Sequence, residues 1–206
     1  MPNRPQINKH SLGAVNLKNG LSFFIILLLS AIVFIWPDAN PHLEFNRINL
    51  QQHEYYRLFT SSLVHNNIHH LWLNLLGGLL LYLLFFEHFT PINQIVVFII
   101  CSLSVSIGIF YFSSFDIYMG LSGYLHGIFA WAVLKELLSK RKSAWLLAIV
   151  GIAKLVHEQV AEQSQPQETL IGIAIATDAH LFGALGGVLL CLFTLTLTKL
   201  RVIQSQ

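Results

Sequence analysis

Long apolar runs alternate with short polar breaks along this chain, and the runs predict helices. Six can be read, at residues 21–36, 68–86, 92–112, 121–138, 143–156 and 170–197. Several approach the ~20 residues that a helix needs to cross the hydrocarbon of a bilayer. The fifth is short unless it continues toward Val160. The last is long enough to tilt, or to begin above the membrane. The first could be mistaken for a signal peptide, but it lacks a small-x-small cleavage site and Trp36-Pro37 follows it directly, so it reads as a retained helix. The expected fold is an all-α membrane protein, a bundle of six transmembrane helices. Residues 1–19 form a polar N-terminal segment, 20–200 the bundle and 201–206 a short tail.

Composition agrees with this pattern. The chain is 54 % apolar and only 11 % charged, where a soluble domain carries about 25 % charge. The charges also orient the bundle. Arg4, Lys9 and Lys18 precede the first run, Lys140, Arg141 and Lys142 separate the fourth from the fifth, and Lys199 and Arg201 follow the sixth. With six spans all three places fall on one side, which the positive-inside rule makes cytoplasmic. Both termini are therefore expected there. The opposite loops hold Asp38, Glu44, Glu54, Asp116, Glu158, Glu162 and Glu168, against Arg47, Arg57 and Lys154. A net charge of +2 gives no sign of a nucleic-acid partner. Cys101 and Cys191 lie inside apolar runs and read as packing residues rather than a disulfide, and their spacing suits no metal. No soluble domain, long linker or internal repeat is evident, and no cofactor is implied.

Candidate chemistry sits where polar residues interrupt or enter the apolar runs, because ionisable groups at membrane depth are costly. Gly120-Leu121-Ser122-Gly123 places a serine between glycines at a loop-to-helix junction, where the backbone can turn sharply and leave a hydroxyl uncovered. Far downstream, Ala179-His180 opens a second candidate. A serine and a histidine at the same depth suggest a nucleophile and its base; each alone would read as a helix cap or a packed ring. His70 and Asn74 are four apart, share a helix face and can both donate to an anionic oxygen. With the first free N–H groups of the helix at Ser122 they suit an oxyanion hole. His65 and His69 share the same spacing, but no HExxH and no third ligand accompany them, so no metal is expected. Gly183 and Gly187 offer a close approach between helices, with Gly127, one turn beyond Gly123, as a matching small face. Arg57 and Glu87 read as structural. Asp178, two residues from His180, points elsewhere on a helix, so the catalytic unit is expected to be a dyad.

Taken together, these motifs resemble the rhomboid family of intramembrane serine proteases. Tyr56-Arg57 is similar to its aromatic-arginine pair. His65, His70 and Asn74 fit H-x4-H-x3-N, Gly120 to Gly123 fits G-x-S-G, and Ala179-His180 with Gly183 and Gly187 fits A-H-x-x-G-x-x-x-G. The resemblance runs from about Tyr56 to Leu190. It implies a cavity opening outward, Ser122 as nucleophile, His180 as base, and His70 and Asn74 as oxyanion donors beside the Ser122 N–H. Where many rhomboids carry an aromatic that stacks on the catalytic histidine, this chain has His126. The S-G-x-L-H-G run, in a short chain without a cytoplasmic domain, resembles the rhombosortase branch of Gram-negative bacteria. That branch implies an inner-membrane enzyme with its active site toward the periplasm. Its substrates would be exported proteins ending in Gly-Gly, an apolar helix and a basic tail. A general rhomboid protease cutting single-pass proteins, a non-catalytic rhomboid-like client binder and a small transporter are the rival expectations.

Overall fold

The computed structural model describes residues 18–160 and 176–204. Arg4 and Lys9, Glu162 and Glu168, and the start of the sixth apolar run lie outside the described residues. Among the described residues there are six helices of fifteen residues or more: α1 (Leu21–Ile35), α2 (Ile68–Phe85), α3 (Pro91–Phe112), α4 (Ser122–Leu138), α5 (Ser143–Val160) and α6 (Thr177–Gln204). Among the described residues four segments, Ile68–His88, Pro91–Phe112, Ser143–Val160 and Thr177–Thr198, are long and apolar enough to cross a membrane. The other two, α1 and α4, have 15 and 17 residues.

Local chemistry explains where the helices begin. Asn67 caps α2 by accepting from His70 N–H at 2.9 Å. Thr90 caps α3 through Asn93 N–H at 3.2 Å, with Pro91 as the first helical residue. Both follow the preference of short polar side chains for the N-cap and of proline for the position after it.

The helix α4 is the core of the bundle. Tyr124, Leu125, Ile128, Trp131, Ala132 and Val133 are buried along it, and α2, α3, α5 and α6 all pack on it. Its tightest partner is α6. A Cβ on Gly183 would overlap the Gly123 carbonyl, and one on Gly187 would overlap that of Gly127. Only hydrogen fits there, so these glycines set the α4–α6 separation. The outward faces are apolar: Leu73, Leu76, Leu80 and Leu83 of α2 are exposed, as are Trp145, Leu146, Ile149 and Ile152 of α5. So large an uncovered apolar surface belongs against lipid. Cys101 and Cys191 are buried and unpaired, as packing residues.

Apolar periodicity does not reveal the connection between α1 and α2. It is a structured cap of short helices, and it holds β1 (Phe45–Asn46), which pairs antiparallel with β2 (Ile117–Tyr118), Phe45 opposite Tyr118. Arg57 is buried there, donating to Glu54 at 2.6 Å and to the carbonyls of Pro41 and Glu44 at 2.9 and 2.8 Å. The bond from Arg57, with a second from the Tyr56 hydroxyl, holds the Glu54 carboxyl below the usual range. Arg47 donates to the carbonyls of Ile109 and Phe110, closing the C-terminus of α3, where a cation complements the helix dipole. At the far end of the bundle Arg141 pairs with Glu87 and Glu136.

One expectation is corrected. Glu158 and Lys154 do not belong to an outer loop; α5 continues through them to Val160. The side chain of Glu158 is only 11 % exposed and faces the bundle.

Candidate active site

The site lies at the end of the bundle where α2, α4 and α6 begin and α5 ends. Gly120 has φ +132°, in the region that glycine tolerates, and a Cβ there would come within 2.8 Å of the His70 ring. The Tyr118 hydroxyl donates to the Gly120 carbonyl at 2.7 Å and holds the turn. Burial pushes that phenol up, so it stays a neutral donor. The β1–β2 pair fixes Tyr118 in turn. Leu121 then takes the N-cap position of α4 with no side-chain cap, and Ser122 is the first helical residue. The serine hydroxyl therefore caps nothing. Instead it meets His180 Nε2 at 2.9 Å.

His180 is buried in the first turn of α6. Its Nδ1 lies 3.0 and 3.1 Å from the two carboxylate oxygens of Glu158. A carboxylate can only accept, so Nδ1 carries the proton and Nε2 accepts from Ser122. His126 stacks on the same ring, with centroids 4.1 Å apart and planes 16° from parallel. It fills the place expected of an aromatic. Its Nδ1 donates to the Ser122 carbonyl at 2.7 Å, which leaves Nε2 to accept from Lys154 Nζ at 2.9 Å. Lys154 also pairs with Glu158.

The third partner of His180 was not foreseen. The carboxylate that meets His180 is not the nearby Asp178; it comes from α5, 22 residues before the histidine. The signal was there: Lys154 lies inside the fifth apolar run with Glu158 one helical turn on, and ionisable residues at membrane depth carry function by default.

The helix α2 contributes a second polar group. His65, in the loop before it, is buried, and burial with His70 beside it pushes its imidazole down to about 3. Its Nδ1 donates to the Leu63 carbonyl at 3.3 Å, so Nε2 accepts from Asn74 Nδ2 at 3.0 Å. One amide hydrogen of Asn74 is thereby fixed and the other is left to the cavity. His70 Nδ1 sits 2.8 Å from Asn66 Oδ1. As a neutral ring donating there, His70 would offer Nε2 as an acceptor. It donates at Nε2 only as an imidazolium, or with the Asn66 amide turned. His69 is exposed and stands apart from this group.

A cavity of about 560 Å³ adjoins these residues, lined by Asn74 and Leu81 of α2, Ser122 and His126 of α4, Leu155 of α5 and Leu181 of α6, among others. Its walls are mostly apolar, and α2 and α5 both line it while packing on α4. Among the described residues one cluster has metal-ligand geometry: His126, Glu158 and His180, with ligand atoms within 4.8 Å of one another. The Lys154 ammonium bonds two of its three members and opposes a second cation there.

The rhomboid domain model matches residues 52–197. This chain belongs to the rhomboid family, whose members are intramembrane serine proteases, and it is a multi-pass membrane protein. Among curated proteins no relative matches it.

Proposed function

We propose that the protein is an intramembrane serine endopeptidase of the rhombosortase type, with Ser122 as nucleophile and His180 as general base. The observation that carries this is the 2.9 Å contact from Ser122 Oγ to His180 Nε2, beside an apolar cavity. Ser122 Oγ attacks a peptide carbonyl as its proton passes to His180 Nε2. The anion forms against the Ser122 N–H and the Asn74 amide, with His70 next to them. The starts of α2, α4 and α6 add the positive ends of three helix dipoles. The C–N bond then breaks and the leaving amine takes the proton from His180. Water or another nucleophile resolves the acyl-enzyme.

All six helices cross the membrane in this reading, and both termini are cytoplasmic. The Lys140–Lys142 cluster sits at the end opposite Ser122 and supports that orientation. A transmembrane substrate must unwind locally, because a helix shields its carbonyls, and glycines ease the unwinding. A Gly-Gly junction above an apolar helix, with a basic tail held in the cytoplasm, meets these conditions at the periplasmic face.

Asn74→Ala tests the oxyanion assignment. Loss of one donor is expected to lower turnover by about 10²–10³, while a fluorophosphonate probe still labels Ser122. His70→Ala is expected to cost less, since a neutral His70 that donates to Asn66 Oδ1 lacks a donor at Nε2. Unchanged turnover in both would mean that the hole is built from other groups.

The substrate class is tested by mass spectrometry of exported proteins that end in Gly-Gly, an apolar run and Arg or Lys. Strains with wild-type protein and with Ser122→Ala are compared. C-termini trimmed at or just before the apolar helix are expected only with wild type. Identical C-termini, with an unrelated single-pass protein cut instead, would make the chain a general rhomboid protease.

A further inference from the structure

We propose that Glu158 is a positioning residue for catalysis, completing a Ser122–His180–Glu158 relay in which the third member comes from α5. The inference rests on the serine protease reading above and extends it from two residues to three.

The geometry is that of an orienting carboxylate. Both oxygens of Glu158 face His180 Nδ1, at 3.0 and 3.1 Å, while Nε2 faces Ser122 at 2.9 Å. Holding the proton on Nδ1 leaves the Nε2 lone pair aimed at the serine. When Ser122 Oγ bonds to the carbonyl carbon, its proton moves to Nε2 and the ring becomes an imidazolium. Glu158 then faces a full positive charge across a hydrogen bond of 3.0 Å, beside a mostly apolar cavity. It takes no proton; the Nδ1 proton stays on the ring until the leaving amine removes the one from Nε2.

The surroundings suit a lasting carboxylate. Lys154, one turn earlier on α5, pairs with Glu158 and also donates to His126 at 2.9 Å. His126 stacks on His180 and limits rotation of its ring. Four side chains thus form a connected set: Lys154 donates to Glu158 and His126, and His180 donates to Glu158 and stacks on His126. The position of Glu158 is also unusual for its helix. Most of α5 is uncovered, with Ala144 its one buried residue, yet Glu158 turns inward. A lysine–glutamate pair serving only the helix surface would not need to face a histidine of α6.

A purely structural role, pinning α5 to α6, makes the opposite prediction from a catalytic one. Glutamine is isosteric and keeps a hydrogen bond to the ring. Yet its amide can donate to Nδ1, which would move the ring proton to Nε2 and block acceptance from Ser122. Aspartate keeps the charge and the acceptor but falls one methylene short.

The test uses purified full-length protein, a fluorophosphonate probe and a tagged single-pass substrate with a Gly-Gly junction. For Glu158→Gln we expect kcat to fall about 10²–10⁴-fold, with KM and thermal unfolding unchanged. Glu158→Asp is expected to retain more activity than Glu158→Gln. Labelling of Ser122 should slow in the same order. Wild-type kcat in Glu158→Gln, or glutamine outperforming aspartate, would overturn the proposal while the labelled wild type leaves the Ser122–His180 pair standing. A wild type that neither labels nor cleaves would overturn both.

Discussion

Ser122→Ala is expected to abolish proteolysis and leave the fold intact. Removing the nucleophile or the base in serine proteases costs about 10⁶ in turnover, which puts the variant below detection in a membrane assay. The structural cost is small. Ser122 caps no helix, since Leu121 occupies the N-cap without a side-chain bond. The hydroxyl meets His180 in a hydrogen bond whose net worth is about 0.5–1.5 kcal/mol. The close glycine contacts of α4 with α6 involve Gly123 and Gly127 and are untouched. Cleavage of a single-pass substrate, measured beside thermal unfolding of the purified variant, checks both halves of the expectation. Residual cleavage near the wild-type rate would sink the assignment of Ser122.

His180→Ala is expected to lose cleavage to a similar degree, for a different reason. A neutral serine is a poor nucleophile without a base, and the other ring stacked at the site is already engaged: His126 donates its Nδ1 proton to the Ser122 carbonyl and gives its Nε2 to Lys154. Unlike the serine variant, this one should also lose stability. It removes the ring on which His126 stacks and the donor that faces Glu158. An unmet buried polar group costs about 1–3 kcal/mol, here lowered by the Lys154 pair that remains. The two variants therefore share a kinetic defect and differ in unfolding temperature. Cleavage and unfolding measured side by side on both separate these contributions.

Much of this was legible in the sequence. Apolar runs located the long helices because a membrane helix must be apolar over most of its length; α2, α3 and α4 begin and end within a residue of the expected positions. The glycines of α6 were legible as well, since small residues four apart have little purpose except close approach, and Gly183 and Gly187 do meet α4. His126 stands at the position where the resemblance puts an aromatic, and its ring stacks on His180. The cap between α1 and α2 was not legible. Its order comes from Arg57 and Arg47 bonding to scattered carbonyls and from a two-residue strand pair, none of which leaves a periodic trace. Glu158 was missed for a related reason. Acidic residues near the end of an apolar run look like loop charges, and only the packing of α5 and α6 on α4 brings this one to His180. The orientation of Asn74 by His65 was hidden too, because it depends on which nitrogen of a buried ring carries the proton.

The central claim is that Ser122 is a nucleophile activated by His180, and its most direct measurement is covalent. Purified protein is treated with a fluorophosphonate probe and digested, and the adduct is located by mass spectrometry. The account predicts one dominant adduct, on the peptide containing Ser122, and none on the same peptide from His180→Ala. An adduct on another residue, or equal labelling of Ser122 without His180, would contradict it.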